Sequence, residues 1–310
     1  MEDDALPPLI EPEVGPEGVR DALAREGYLA DDGLATACFL AIQLHRPLFL
    51  EGAPGVGKTE ISKALAAWLG APLIRLQCYE GIDAAQALYD WDFPRQLLHL
   101  RSVEAWSSVS GTSPEPEDLE RRLYDRRFLV ARPLLQALEI SPSVLLIDEL
   151  DRADDDFEAF LLEVLSDFSV TVPEVGTIRA AQPPLVVITS NRTREVHDAL
   201  KRRCYYYWLT YPTFEREVEI LRTRLPRASR RLAEQVTAAV QQLRRSDLTK
   251  PPGVAETLDW AQAVLTLGCE ELDPDVAART LGSVLKYQED QERVAGIDYE
   301  QLIGVPVEPG

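Results

Sequence analysis

The sequence predicts an α/β fold: a five-stranded parallel sheet followed by a small all-helical unit. Three observations carry this. Five short apolar runs alternate with stretches of helical spacing, the pattern of parallel strands buried on both faces. A glycine-rich turn, Gly52 to Thr59, directly follows the first run and opens a helical stretch. From Thr213 onward every periodic segment is helical, which places a helical unit after the α/β part.

Residues 1–18 carry six acids, four prolines and no base, which predicts a mobile tail. This N-terminus has no basic and no apolar region of a secretory signal, and no apolar run reaches the ~18 residues of a membrane span, so a cytoplasmic protein is expected. Val19 to His45 is helical, with Asp31 and Asp32 as caps for its second half. The strand candidates are Pro47–Glu51, Leu73–Leu76, Val144–Asp148, Leu185–Thr189 and Cys204–Leu209. Two features interrupt them. Ser107–Asp118 is a polar loop between helical stretches, and Ser169–Ile178 alternates weakly around Pro173 and Gly176, as a hairpin does. The α/β part is expected over 19–211, with a boundary near Tyr211-Pro212. Helices are expected at Thr213–Arg224, Pro226–Ser246, Val254–Leu267 and Pro274–Glu292, so the helical unit covers 212–295 and a C-terminal tail 296–310.

The 310 residues carry 32 Lys plus Arg against 52 Asp plus Glu, a formal charge of −20. That balance argues against a nucleic-acid partner, which draws on basic residues. Cys38, Cys78, Cys204 and Cys269 are far apart, as are His45, His99 and His197, so no zinc-ligand spacing appears and reduced, buried thiols are expected.

The chemistry concentrates at three strand ends. Gly52-Ala53-Pro54-Gly55-Val56-Gly57-Lys58-Thr59 matches G-x-x-x-x-G-K-[ST] between a strand and a helix that continues with Glu60. Glycines let backbone N–H groups turn inward around phosphate oxygens, and the helix N-terminus adds positive charge. Lys58 neutralises the β- and γ-phosphates of a nucleotide, and the Thr59 hydroxyl ligates Mg²⁺. Asp148 and Glu149 close an apolar strand, which delivers them to the ligand crevice of an open sheet. Asp148 then joins the Mg²⁺ shell and Glu149 polarises the attacking water. Asn191 ends the fourth strand, where its amide can hold that water; read alone it is a turn residue. Arg202 and Arg203 precede the fifth strand. They read either as a solvated helix end or as an arginine finger that reaches a neighbouring copy's ATP.

Together these motifs resemble an AAA+ ATPase over roughly residues 19–290. Within that superfamily the chain resembles the MoxR branch, whose inserted region and hairpin correspond to about 81–131 and 169–180. Closer still is the similarity to CoxD-like proteins, carried by Cys78–Asp83, Tyr89–His99, Thr189–Glu195 and Lys250–Thr257. The resemblance implies ATP and Mg²⁺, a homo-oligomeric ring of six, a partner with a von Willebrand A domain, and ATP-driven remodelling of a protein client. In CoxD-like proteins the client is a molybdenum enzyme such as carbon monoxide dehydrogenase, whose metal centre is being assembled. A nucleic-acid motor and a low-turnover nucleotide switch are the competing readings.

One departure matters. Where many AAA+ lids carry a sensing arginine, this chain has Gly253-Val-Ala-Glu256-Thr257-Leu-Asp259, and Arg152 is a candidate substitute that could equally pair with Asp154 or Asp155. Trp91, Phe93 and Trp106, with Arg95 and Arg101, read as a client grip or as helix packing against the α/β core; packing is the expectation. Tyr205–Trp208 alternates faces, as a strand touching core and lid does.

Overall fold

A computed structural model describes residues 14–110, 115–294 and 299–304. Among these described residues nine strands run in chain order: β1 Leu48–Gly52, β2 Leu73–Gln77, β3 Tyr89–Trp91, β4 Leu129–Ala131, β5 Val144–Asp148, β6 Ser169–Val172, β7 Gly176–Arg179, β8 Leu185–Ser190 and β9 Tyr205–Leu209. Five of them form one parallel sheet in the order β2-β5-β8-β1-β9. Its three central strands, β1, β5 and β8, are buried along their whole length, which explains their unbroken Val, Leu and Ile runs.

The period of two divides these strands between two cores. Leu48, Leu50, Val144, Leu146 and Val187 face helices Gly15–Arg25, Asp32–Gln43 and Lys58–Trp68. Phe49, Leu145, Ile147, Val186 and Ile188 face helices Pro133–Glu139 and Asp155–Asp167. The order β5-β8-β1 brings the C-terminal ends of three strands side by side, and those ends carry the motifs.

From Phe214 the elements among the described residues are helical and have their own core. Helices Phe214–Arg224, Arg230–Arg245 and Val254–Thr266 bury Val236, Val240, Val264 and the fully covered Trp260, whose indole N–H donates to Thr280 Oγ1 at 2.7 Å. Between β2 and β5, helices Phe93–Ser110 and Pro116–Leu123 stand on the short antiparallel pair β3–β4. The antiparallel pair β6–β7 precedes β8.

Four expectations need correction. The N-terminal tail is shorter than 1–18: a helix opens at Gly15 with Pro16 in its first turn, and it is held by buried Val19, Ala22 and Leu23. Residues 1–13 lie outside the described residues. Tyr299–Gly304, placed in a C-terminal tail, is a short helix that buries Leu302 against the helical core. The single helix expected over Pro274–Glu292 is broken. Pro274–Thr280 passes through a 3-10 turn at Leu281–Ser283, and Gln288–Val294 follows. Gly282, a weak helix former, stands in that turn, and Leu281, Val284 and Leu285 still enter one core. The polar loop over Ser107–Asp118 is narrower, because the preceding helix runs on to Ser110, just before the helix breaker Gly111. Residues 111–114 lie outside the described residues.

Candidate functional site

A cavity of about 630 Å³ lies between the strand ends and the helical unit. One wall is the glycine-rich turn. Gly52 passes so close to β9 that a Cβ there meets the Leu209 carbonyl oxygen at 2.3 Å, so only glycine fits. Val56 is buried in the core beneath the loop, while Pro54, Gly55, Gly57 and Lys58 line the cavity. The buried Lys58 ammonium donates to the carbonyls of Gly52 at 2.7 Å and Ala53 at 2.8 Å. Burial lowers its pKa to about 8, against nearby carboxylates that raise it, Asp151 and Asp148 first. Glu60 lines the cavity too and pairs with Lys63 and with Arg224.

Asp148 and Glu149 stand opposite. The Thr59 hydroxyl donates to Asp148 Oδ1 at 3.2 Å, and the Thr189 hydroxyl donates to the same oxygen at 2.5 Å. The Glu149 N–H donates to Thr189 Oγ1 at 2.9 Å. Asp148 Oδ2 accepts from Arg75 Nη2 at 2.6 Å and Nε at 3.1 Å. Glu149 has φ of +55°, a left-handed turn that a non-glycine residue adopts at a cost. Its carboxylate accepts from Gln77 Nε2 at 3.1 Å and Asn191 Nδ2 at 3.3 Å, and pairs with Arg152 at 3.3 Å. The Asn191 backbone is fixed separately: buried Asp151 accepts from its N–H at 3.1 Å and from the N–H of Thr193 at 2.8 Å.

The structure therefore brings Lys58, Thr59, Asp148, Glu149 and Asn191 around one cavity. A hydroxyl and a carboxylate oxygen side by side, Thr59 and Asp148, make a hard-oxygen donor set that suits Mg²⁺. Arg152 sits on Glu149, neither on Asp154 nor on Asp155. Glu256 caps its own helix by accepting from the Gly253 N–H at 2.9 Å, and Asp259 lines the cavity. Arg202 and Arg203 lie apart from this site. Arg203 is exposed and donates to the Leu162 carbonyl at 2.9 Å and to Ser166 Oγ, while Arg202 points into solvent.

Sequence reasoning missed Arg75, Gln77 and Thr189, and the far wall of the cavity: Tyr28, Tyr211, Arg216, Ile220 and Leu258. A signal existed for the first two. Arg75 and Gln77 alternate with buried Ile74 and Leu76, so two polar side chains share one face of an otherwise apolar strand.

The aromatic residues also depart from expectation. Tyr205 and Tyr207 pack on the core, but Tyr206 and Trp208 remain about half exposed. Trp91 packs edge-on against Tyr124 at 5.3 Å, whereas Phe93 is 63% and Trp106 66% exposed. The expected packing of these two against the α/β core is absent, because their helix stands away from the sheet on β3–β4.

Residues 47–204 match the family model described as AAA domain (dynein-related subfamily). An uncharacterized AAA domain-containing protein of Schizosaccharomyces pombe is 26% identical over 193 residues, 60% of this chain and 20% of that protein. The uncharacterized protein YeaC of Bacillus subtilis is 28% identical over 180 residues, 56% of this chain and 46% of that protein. The chain thus spans about a fifth and just under half of the length of these curated relatives. Among solved structures, the Thermotoga maritima RuvB Holliday junction branch migration motor is similar with TM-score 0.45 and 15% identity, over 86% of this chain and 68% of that one. A mutant form of that protein gives 0.47 at 15% identity, over 92% and 75%. Among the described residues no helix is long and apolar enough to cross a membrane.

Proposed function

The chain belongs to the AAA domain family, dynein-related subfamily, and from that premise we propose that it is a Mg²⁺-dependent ATPase of the MoxR type, closest to CoxD-like proteins. It works on a protein client in the maturation of a metalloenzyme such as carbon monoxide dehydrogenase or a related molybdenum enzyme. The observation that carries the ATPase reading is the pairing of Thr59 with Asp148 at 3.2 Å beside a fixed Glu149.

The chemistry follows from these positions. Lys58 and the N–H groups of the glycine-rich turn hold the phosphates of ATP. Thr59 and Asp148 hold Mg²⁺, which supplies charge neutralisation at the phosphate oxygens. Glu149 accepts a proton from the attacking water as the water oxygen bonds to the γ-phosphorus. The bond from that phosphorus to the bridging oxygen breaks, leaving ADP and phosphate. Asn191, 3.3 Å from Glu149, orients the water. Tyr28, Ile220 and Leu258 line the far end of the cavity and receive the base, so the helical unit, 212–295, acts as a lid over the nucleotide.

The exposed Arg203, or failing it Arg202, completes the site of a neighbouring copy in a ring of six. A von Willebrand A domain protein and the client enzyme bind the ring in the cytoplasm. The net charge of −20 supports protein partners rather than nucleic acid.

Steady-state ATPase assays test this, with purified Lys58→Ala and Arg203→Ala proteins, alone and mixed. Each variant alone is inactive, a finger being worth about 10³-fold or more in rate. Mixing restores turnover, because mixed rings contain intact interfaces. No recovery despite demonstrated subunit exchange rules out the shared site, and a wild-type protein that neither binds nor hydrolyses ATP rules out the ATPase.

A further inference from the structure

The lid meets the glycine-rich turn at Gly55 in a contact of backbone on backbone. The Val254 N–H donates to the Gly55 carbonyl at 2.8 Å. A Cβ on Gly253 meets Gly55 Cα at 2.6 Å, and one on Gly55 meets Gly253 Cα at 2.9 Å. Neither glycine can carry a side chain without moving the other segment.

A buried charge pair holds the lid side of this contact. Arg244 donates from both terminal nitrogens to Glu217, at 2.6 and 2.7 Å, and from Nε to the Pro252 carbonyl at 2.7 Å. Glu217 is fully buried. The Thr257 hydroxyl lies 2.7 Å from Glu217 Oε1 and 3.0 Å from the Gly253 carbonyl. The Arg244 guanidinium also stacks 4.4 Å from the ring of Tyr211, which lines the cavity. Pairs of this kind are costly to bury and are kept where they fix a geometry.

The planar peptide gives the contact its meaning. In a trans peptide the carbonyl and the following N–H point in opposite directions. Holding the Gly55 carbonyl toward the lid therefore turns the Val56 N–H the other way, into the curl of the loop where phosphate oxygens go. We infer that the Gly253–Val254 turn sets the phosphate-binding conformation of the glycine-rich loop through this backbone contact, with Arg244 and Glu217 as positioning residues. The lid thus answers to phosphate through the main chain, at the place where a sensing arginine is replaced by Glu256. This rests on the nucleotide reading above.

The test uses the full chain with Mg²⁺ and measures the affinity of ATP and of adenosine for wild type, Gly253→Ala, Arg244→Lys and Lys58→Ala, with thermal melts to establish folding. Gly253→Ala and Arg244→Lys weaken ATP by about tenfold or more, the worth of one misdirected charge-assisted hydrogen bond, and leave adenosine within about twofold. A general loosening of the lid weakens both ligands equally, and that result overturns the proposal. So does unchanged ATP affinity in a folded Gly253→Ala protein; if that variant does not fold, Arg244→Lys decides by the same criteria. Loss of ATP binding in Lys58→Ala alone locates the failure here, whereas wild type that binds no ATP removes the nucleotide reading as well.

Discussion

The strand-end site and the inserted region, about 81–131, treat their side chains in opposite ways. At the ends of β1, β5 and β8 the buried groups are polar, and each has partners. Lys58 has two carbonyls, Asp148 has Thr59, Thr189 and Arg75, and Asp151 has Asn191 and Thr193. In the insert large apolar groups are exposed among the charged ones: Phe93, Leu97, Leu98, Trp106 and Val109 face water along one helix. A fully satisfied polar network costs little to hold and is ordered before any ligand arrives. An uncovered apolar surface is a cost the molecule recovers only when something covers it. The first region is complete in itself, and the second leaves apolar surface uncovered, which suits the client contact proposed above.

The contrast is sharpest at Glu149. Its backbone strain and three side-chain contacts exist to place one carboxylate, so Glu149→Gln keeps the shape and removes the base. Turnover drops by about 10³-fold while ATP binding persists, checked by single-turnover kinetics beside equilibrium binding. Equal loss of both would mean that the region is held together by this charge and is not pre-ordered.

A smaller effect is expected one step away. Among the described residues the polar partners of Arg75 are Asp148 and Gln77, so Arg75→Met leaves the donor atoms in place and frees their orientation. The Mg²⁺ concentration needed for half-maximal ATP binding rises about tenfold, as it does when partners behind metal-holding groups are removed. No change in a magnesium titration would show that Thr59 and Thr189 suffice.

The smallest effect belongs to the insert. Leu98→Ser with Trp106→Ser removes apolar surface that touches little of the protein's own core. The melting midpoint and basal ATPase stay near wild type, since such surface changes are within about 0.5 kcal/mol. Capture of the client or of the von Willebrand A partner, by pulldown with ATP against ADP, is lost. A large fall in stability would mean that these side chains pack, and the comparison would collapse.

Legibility in the sequence follows the same division. The sheet, Gly52–Thr59, Asp148–Glu149 and Asn191 were readable because each lies in one continuous stretch with a period or a spacing. Arg75 and Gln77 were not placed, since only the pairing of β2 with β5, Gln77 beside Asp148, brings them to the acids. Strand order is a property of the packed sheet and leaves no mark within a strand. The wall formed by Tyr211, Ile220 and Leu258 was missed for a related reason: it arises where two units meet. The exposure of Phe93 and Trp106 ran against the ordinary expectation that large aromatics are covered. Composition says that a residue favours burial, and does not say what will bury it.

Thr189 carries a consequence for sequence variation. A hydroxyl has a single proton to give, and here it goes to Asp148, while the oxygen that remains takes the N–H of Glu149. One side chain on β8 thereby sets the orientation of two consecutive acids where β5 ends. Valine copies its outline and speaks to neither acid, and alanine leaves a hole as well. Serine alone keeps the grammar of the exchange. In a library randomised at this position and selected for turnover, the survivors should spell only threonine and serine, a narrow alphabet for one hydroxyl beside the two acids.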